Sequence, residues 1–404
     1  MSLKKIRSFD DLNVVAAHCQ HVLTLFSGGL DSSYVLKELA ERGCRVTALC
    51  VDVGESVSLK DLQTITGRFG ASLHVVDARQ EFATDAVVPA IRAQAKYLGI
   101  YPVSSSLSRP ILARCAVRLA RELGCDAIIH TANQSQNSLR RLNGAITQLG
   151  YDGLYGTPYE FSAMTRAEKI DALLAVGMAK FQARGISGDA NLWCREFESG
   201  ALDNPEAFWV PESLFDWTAP RDTREIAADF SIRFDHGVPV ALDGQTLPLL
   251  DLISRLNRQA GAFGVGRYSG LEHLDQGEKV LEVREAPAAT VLMDAYRHLE
   301  TATLDAELIR EKMGHEQLWV REAVEGRWFG SLREDADQFI AAAAQKVSGT
   351  VGYRLRPGAA DVCSIRADQP LYLTDRDAWE KKVACERALA HLPLQARQSE
   401  AVCT

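Results

Sequence analysis

The chain has 404 residues, 47% of them hydrophobic and 24% charged. This is ordinary globular usage and excludes a disordered, collagenous or disulfide-scaffold protein. The 45 Lys and Arg residues against 53 Asp and Glu give a formal net charge of −8, so the chain lacks the bulk positive charge of a nucleic-acid or anionic-membrane binder. At about 100–200 residues per domain, the length predicts two or three domains.

The sequence carries no recognisable membrane or export signal. No stretch approaches the roughly 18 apolar residues of a spanning helix, and Asp10 and Asp11 lie where an export signal needs an apolar run. The nine cysteines are an odd number and include no C-x-x-C pair. We therefore expect reduced cysteines in a cytoplasmic protein, without a zinc site and without nucleic-acid or membrane partners.

The first 130 residues alternate between strand and helix patterns. The predicted helices span 32–43, 58–70 with Ser58 as N-cap, and a segment with Pro110 in its first turn that ends at Gly124. The predicted strands span 21–26, 44–53, 71–78 and 125–132. Such alternation predicts an α/β fold built on a doubly wound parallel sheet.

The pattern changes after about residue 180. Strand candidates span 231–242, 279–287, 347–358 and 360–367, and a long helix is expected around 288–314. The amphipathic segment 376–392 has no core element after it, so we expect it to dock on its own domain or on a neighbouring subunit. The predicted division is an N-terminal extension (1–20), a nucleotide-binding domain (21–183), a second α+β domain (184–374) and a C-terminal helix and tail (375–404).

A candidate phosphate-binding loop follows the first predicted strand, with the sequence Ser27-Gly28-Gly29-Leu30-Asp31-Ser32-Ser33. Open α/β sheets bind ligands at this edge. The adjacent glycines let backbone N–H groups approach an anion, and the helix N-terminus favours phosphate. The loop lacks the Lys of a Walker A motif. It resembles the pyrophosphate-binding loop of the ATP-pyrophosphatase superfamily, whose members transfer AMP and release pyrophosphate.

Further segments extend this resemblance. The strand 48–55 is similar to a nucleotide-base segment, and Tyr101-Pro-Val-Ser-Ser-Ser106-Leu-Ser-Arg-Pro110 is similar to Y…S-L-A-R-P. Ser187-Gly-Asp-Ala-Asn-Leu192 with Leu202-Asp-Asn-Pro205 resembles W-S-x-D-E-N-L…L-E-N-P, and Gly264-Val-Gly-Arg267 before Glu272 resembles G-V-G-R…E. From about residue 20 to 375 the chain thus resembles the argininosuccinate synthase family, whose members adenylylate the ureido oxygen of citrulline and let aspartate displace AMP.

The resemblance implies a fold, cofactors and a set of site residues. The fold would be an adenine nucleotide alpha-hydrolase-like domain with a synthetase and multimerisation domain, in a homo-oligomer, either dimer or tetramer. ATP and Mg²⁺ would be required, with small amino-acid-like substrates. The implied ATP-binding residues are Leu25, Phe26, Ser27, Gly28, Gly29, Leu30, Asp31, Ser32, Ser33, Val51 and His130. The implied acceptor contacts are Tyr101, Ser106, Arg140, Ser187 and Glu272, and we expect Asp31 and Arg140 to be catalytic.

The chain departs from the family around both substrates. The family segment G-A-T-G-K-G-N-D-Q-V-R-F aligns with residues 130–141, so the Thr, Asn and Asp that hold aspartate become Ala132, Gln136 and Asn137. In the acceptor pocket a family Ser becomes Glu196 and a family Tyr becomes Arg284. These opposite charges are expected either to pair with each other or to recognise a different charged ligand.

Several readings stay open at this point. We expect an AMP-forming C–N ligase with an altered acceptor or nucleophile, working in specialised metabolism. The alternatives are argininosuccinate synthesis itself, a tRNA-modifying ATP-pyrophosphatase and a non-catalytic paralog. Asp31 is expected either to organise magnesium or to cap its helix. His130 is expected to be a general base or a structural imidazole, and Arg109 to lie on a solvated or ribose-facing helix side.

Overall fold

A computed structural model describes residues 4–55, 58–181, 186–219 and 228–390 of the chain. Its strands, in chain order, are β1 (Lys5–Ile6), β2 (Val22–Leu25), β3 (Val46–Asp52), β4 (Ser72–Asp77), β5 (Lys96–Tyr97), β6 (Tyr101–Pro102), β7 (Ala127–Ile129), β8 (Leu154–Gly156), β9 (Ser187–Ala190), β10 (Arg195–Glu198), β11 (Ala228–Asp235), β12 (Val238–Leu242), β13 (Gln245–Thr246), β14 (Arg267–His273), β15 (Lys279–Glu285), β16 (Gly349–Arg356) and β17 (Ala359–Ala367).

The helices, in the same order, are α1 (Asp11–His18), α2 (Leu30–Glu41), α3 (Leu59–Arg68), α4 (Arg79–Phe82), α5 (Val88–Arg92), α6 (Ser105–Leu123), α7 (Ser138–Gln148), α8 (Arg166–Ala175), α9 (Leu249–Gly261), α10 (Pro287–Thr303), α11 (Ala306–Val324), α12 (Ser331–Ala344) and α13 (Arg376–Ala390). A π-helical turn, Ala83–Val87, joins α4 to α5. Short 3₁₀ turns occur at Ala179–Phe181, Gly200–Leu202 and Glu212–Leu214.

The N-terminal part is built on one parallel sheet with the strand order β1-β8-β7-β2-β3-β4. One face packs against α1, α2, α3 and α8, and the other against α6 and α7. All residues of β2 are buried, as expected for a strand covered on both faces. The predicted α/β doubly wound parallel sheet is confirmed.

The last two strands at one edge of this sheet, β1 and β8, were not predicted. Lys5–Ile6 falls within the predicted N-terminal extension, yet it pairs in parallel with Tyr155 and Gly156 of β8. A Cβ at Gly156 would lie 2.1 Å from the Ile6 carbonyl oxygen, so only glycine allows this approach. Strands of two and three residues are too short to show a hydrophobic period.

Two helix predictions need correction. The helix expected around 288–314 is two helices, because α10 ends at Thr303 and Asp305 starts α11 by accepting a hydrogen bond from the Leu308 N–H at 2.9 Å. Pro110 does not lie in the first turn of its helix, since α6 begins at Ser105. The predicted N-cap Ser58 is confirmed, because its side chain accepts from the Asp61 N–H.

The remaining strands form two antiparallel sheets in the second half of the chain. One has the order β14-β15-β10-β9 and the other β13-β12-β11-β16-β17. The candidate strand 231–242 is the hairpin of β11 and β12. The largest hydrophobic cluster gathers around α9, α10 and the inner face of the second sheet, and it extends to the start of α6. The same cluster includes Trp193, Cys194 and Ala286, which flank strands of the four-stranded sheet, and Val51 and Val76 of the parallel sheet pack against it.

The C-terminal helix α13 lies exposed along the single chain. Large apolar side chains that precede it or belong to it are also exposed, namely Leu371, Tyr372, Leu373 and Trp379. Docking on a neighbouring subunit therefore stays a prediction. None of the described helices is long and apolar enough to cross a membrane, and the eight described cysteines are all free.

Candidate active site

The loop between β2 and α2 presents backbone N–H groups at the carboxyl edge of the parallel sheet. Gly28 has φ +72°, and a Cβ there would lie 2.7 Å from Leu62 Cδ2. The Gly29 N–H donates to Ser27 Oγ at 3.3 Å, and the Ser32 hydroxyl donates to the Gly29 carbonyl at 3.2 Å. The first-turn N–H groups of a helix lack intrahelical acceptors. The 27–33 loop and the first turn of α2 therefore form a mouth that suits an anion.

The other predicted nucleotide contacts surround that mouth. Leu25 and Phe26 are buried, and Val51 is half-buried near the carboxyl end of the adjacent strand β3. Ser33 is fully buried, and its hydroxyl has no hydrogen-bond partner within the described residues. A parallel sheet brings the ends of β2 and β3 to one edge, so these residues form a single cleft.

Asp31 makes an ion pair and does not cap its helix. The N-cap position of α2 is Gly29, without a side-chain cap bond. Asp31 Oδ1 lies 2.6 Å from Lys169 Nζ, and the Tyr159 hydroxyl donates to the Asp31 carbonyl at 3.1 Å. The cap alternative is therefore wrong. Across the described part of the chain, no group of three His, Cys, Asp or Glu residues could hold a metal ion.

The geometry of His130 fits a structural imidazole. The residue is fully buried at the end of β7, and its Nδ1 accepts from the Ala132 N–H at 3.4 Å. The other ring nitrogen lies 3.1 Å from Asn143 Oδ1, so it carries the proton and donates. Burial lowers the pKa of His130 to about 4. Both ring nitrogens of this neutral side chain are used within the protein.

One face of the four-stranded sheet gathers the polar residues of the predicted acceptor pocket. Glu196 on β10 lies opposite Asp189 on β9 and Arg284 on β15, and Glu198 lies opposite Ser187. Directly opposed residues of antiparallel strands point to the same side, and so do residues two apart on one strand. These five side chains therefore share a face.

Arg284 is the centre of a buried ion-pair cluster on that face. Its Nη1 lies 2.6 Å from Glu196 Oε1, and its Nη2 contacts Glu282 and lies 3.5 Å from Glu272 Oε2. The guanidinium also stacks over the Tyr101 ring at 4.3 Å. Glu196 and Arg284 thus pair with each other, which is one of the two outcomes expected from the sequence.

Arg141 adds a second buried cation. It stands where the family segment has Phe, and it donates to Glu272, to Ser105 Oγ at 2.8 Å and to the Val324 carbonyl at 3.0 Å. Although burial opposes it, Arg141 and Arg284 hold the pKa of Glu272 at about 2. Burial and the neighbouring Glu272 raise the pKa of Glu282.

Arg140 is held by groups outside this cluster. Its Nη1 lies 2.6 Å from Asp275 Oδ1 and 3.2 Å from Glu325 Oε2. Its Nη2 lies 3.3 Å from His273 Nε2, and the same imidazole nitrogen lies 2.9 Å from Glu325 Oε1. The guanidinium is therefore neutralised within the protein.

The segment 132–137, which matches the nucleophile pocket, contacts the same sheet. Gln136 Nε2 donates to Glu198 Oε1 at 2.7 Å, and Asn137 Nδ2 donates to the His273 carbonyl at 2.8 Å. Ala132 is buried. Glu198 was not identified as a site residue in the sequence analysis, although its spacing of two residues from Glu196 places both side chains on one face of the strand.

The remaining acceptor candidates and one neighbour complete the pocket. Ser106 is buried in α6, and Ser187 is half-buried at the start of β9. The Tyr101 hydroxyl is buried without a hydrogen-bond partner among the described residues. Arg109 is not on a solvated face, because it forks onto Asp189 at 2.8 and 3.4 Å and bonds Ser138. The ribose-facing alternative stays a prediction.

Comparisons with known proteins match nearly the whole chain. The family models of the Arginosuccinate synthase N-terminal HUP domain and C-terminal domain match residues 21–177 and 186–391. The chain is similar to proteins named argininosuccinate synthase from Rubrobacter xylanophilus, Symbiobacterium thermophilum and Methanocaldococcus jannaschii, at 35%, 37% and 34% identity. The matches cover 91%, 88% and 90% of this chain and 91%, 90% and 93% of those proteins.

Solved structures show weaker likenesses. An NH3-dependent NAD synthetase from Campylobacter jejuni matches with a TM-score of 0.30 and 17% identity, covering 44% of this chain and 75% of that one. An NMN synthetase from Francisella tularensis matches with a TM-score of 0.32 and 13% identity, covering 44% and 71%. At these TM-scores the likenesses carry no argument about function.

Proposed function

Because the chain belongs to the argininosuccinate synthase family, we propose that it adenylylates a carbonyl oxygen of an acceptor other than citrulline and lets an amine displace AMP. The family membership makes the protein an ATP-dependent ligase that forms carbon–nitrogen bonds. The new element of the proposal is the choice of acceptor, which would lack the zwitterionic head group of an amino acid.

The pairing of two charged residues carries this proposal. Glu272 and Arg140 match the family's charged acceptor contacts, and a carboxylate and a guanidinium suit the ammonium and the carboxylate of an amino acid. In this chain Glu272 is neutralised by Arg141 and Arg284. Arg140 is neutralised by Asp275 and Glu325. An amino-acid head group would have to break the buried pairs of Glu272, which costs several kcal/mol. It would also have to displace the more exposed carboxylates that pair with Arg140.

The nucleotide side of the site supports the reaction type. The glycines of the 27–33 loop and the first turn of α2 can donate to phosphate oxygens. Lys169, held beside the loop by Asp31, brings a positive charge to the same mouth. Mg²⁺ bound to the phosphates, with Asp31 nearby, would offset charge on the departing pyrophosphate.

The acceptor reacts as its own nucleophile in the first half of the reaction. Its carbonyl oxygen bonds to the α-phosphorus as the bond to pyrophosphate breaks. The unpartnered Tyr101 hydroxyl and Ser106 are the polar groups left to position the acceptor beside the buried ion pairs. Positioning supplies much of the rate in such a transfer, so the chain needs no nucleophilic side chain.

Argininosuccinate synthesis from citrulline and aspartate is the second candidate, favoured by the names of the relatives. Pyrophosphate release from ATP and Mg²⁺ tests both candidates when acceptors are supplied singly: citrulline, propylurea as a ureido compound without the head group, and butyrate as a carboxylate. We expect release with propylurea or butyrate to exceed release with citrulline. Faster release with citrulline contradicts the proposal. Gly28→Ala serves as the inactive control with every acceptor.

A further inference from the structure

The polar face beside the nucleophile loop holds more carboxyl groups than guanidinium groups. Asp189 pairs with Arg109, Glu272 with Arg141, and Glu196 and Glu282 share Arg284. Within the described residues Glu198 has no ion-pair partner, and its hydrogen-bond partner is the Gln136 amide. The set comprises Asp189, Glu196, Glu198, Glu272, Glu282, Arg109, Arg141 and Arg284. This set therefore has more carboxyl groups than guanidinium groups to pair with them.

Glu198 lies where a second substrate would meet the adenylylated acceptor. It ends β10 on the face that carries Glu196, and Gln136 belongs to the segment that matches the nucleophile pocket. The residue is half-buried, so it is reachable. Burial, with Glu196 and Asp189 nearby, raises the pKa of Glu198. The Tyr101 hydroxyl under Arg284 is buried without a partner among the described residues, so a polar group of a ligand would satisfy it.

We propose that the nucleophile is a cationic amine without carboxylate groups, and that Glu198 is the residue that binds its ammonium group and accepts its proton. This inference rests on the proposed ligase function. The Glu198 carboxylate takes one proton from the ammonium, and the freed electron pair of nitrogen attacks the activated carbon. The carbon–nitrogen bond forms as the carbon–oxygen bond to AMP breaks, and AMP leaves with that electron pair. A second N–H proton passes to solvent.

The neighbouring cations argue against aspartate as the amine. Arg109 lies beside the loop, because it bonds Ser138, which directly follows the loop, and it is forked onto Asp189. Arg140 is occupied by Asp275 and Glu325. A dicarboxylic amine would bring two negative charges beside Glu198 and find both guanidinium groups already used. A cationic amine without carboxylates instead supplies the missing counterion.

Isothermal titration calorimetry tests the binding of the amine without requiring the adenylylation step. Wild-type enzyme, preloaded with ATP and Mg²⁺, is titrated with ethanolamine, putrescine and aspartate in separate runs. We expect at least one of the two cationic amines to bind more tightly than aspartate. Glu198→Gln keeps the shape of the side chain and removes its charge, so it should weaken the binding of that amine by about tenfold or more. The exposed Glu122→Gln serves as matched control and should bind like wild type.

Two results would overturn the inference. One is tighter binding of aspartate than of both amines, or no binding of either amine. The other is a Glu198→Gln enzyme that binds the amine as wild type does. ATP affinity and the unfolding midpoint of Glu198→Gln report whether the variant has kept its fold. Failure of pyrophosphate release with every acceptor would sink the proposed function instead, and the two failures are therefore distinguishable.

Discussion

Replacing Arg284 by the family's tyrosine should destabilise the protein strongly, and replacing its partner as well should recover part of the loss. Arg284 is 2% exposed and contacts Glu196 at 2.6 Å, Glu272 at 3.5 Å and Glu282. Its removal leaves buried carboxylates without their cation. Breaking one side of a buried pair costs about 3–5 kcal/mol, and we expect Arg284→Tyr to lose that much stability.

The double variant Glu196→Ser/Arg284→Tyr removes both charges and installs both family residues. Because no unpaired Glu196 carboxylate remains, it should recover about 1–3 kcal/mol relative to the sum of the single changes. Arg141 stays to balance Glu272. One of the two guanidinium groups that neutralise Glu272 is then gone, so the double variant should bind citrulline more tightly than wild type does.

Urea unfolding followed by tryptophan fluorescence measures the stability cycle, since Trp193 is fully buried next to β10. Titration with citrulline measures the change in recognition. The reasoning is refuted if the free energy of unfolding of Arg284→Tyr lies within about 1 kcal/mol of the wild-type value, which is about a fivefold change in the folded-to-unfolded ratio. It is also refuted if the destabilisations caused by the two substitutions simply add in the double variant. Unchanged citrulline binding in a folded double variant would refute the view that these residues set the acceptor.

Three further predictions concern the nucleotide cleft. Gly28→Ala should lower pyrophosphate release at least a hundredfold with every acceptor, because φ is +72° and a Cβ would meet Leu62 at 2.7 Å; a rate near wild type contradicts the loop's role. Asp31→Ala should raise the ATP concentration needed for half-maximal pyrophosphate release, because Lys169 loses the carboxylate that holds it beside the loop. An unchanged dependence on ATP concentration would contradict this role of Asp31. His130→Gln should flatten the pH dependence of stability. In the folded wild type the pKa of His130 is about 4, below the usual 6.5, so the unfolded state binds more protons between these two values. Wild type therefore loses up to about 3 kcal/mol of stability as the pH falls from 6.5 to 4. If stability depended on pH equally steeply in His130→Gln and in wild type, His130 would not be buried in its neutral form.

The fold was predictable where the pattern was long and regular. The strands β2 and β3 are buried apolar runs, and the helix after the glycine loop has helical spacing. The edge strand β4 was also predicted, although its residues are exposed or half-buried. The strands β1 and β8 were not predictable, because such short strands are defined by the strands they pair with. The break between α10 and α11 was readable in principle, since Asp305 is a good N-cap inside a continuous helical pattern.

The site was predictable residue by residue but not in its charge state. Local motifs gave the phosphate loop and the substituted positions Glu196 and Arg284. Whether a charge is free depends on partners far along the chain: Arg140 meets Asp275, and Arg141 meets Glu272. Only the packing of α7 against β14 decides those pairs, so the sequence alone left pairing and ligand recognition as equal alternatives.

Product analysis with ATP, Mg²⁺, citrulline and aspartate tests the central claim most directly. Wild-type enzyme is incubated with both amino acids, and argininosuccinate is measured by mass spectrometry beside the release of AMP and pyrophosphate. The neutralised Glu272 and Arg140 predict little or no argininosuccinate, while propylurea or butyrate with a cationic amine gives AMP. Argininosuccinate formed with full turnover, only when citrulline and aspartate are both present, would contradict the account and identify the protein's activity as that of its named relatives.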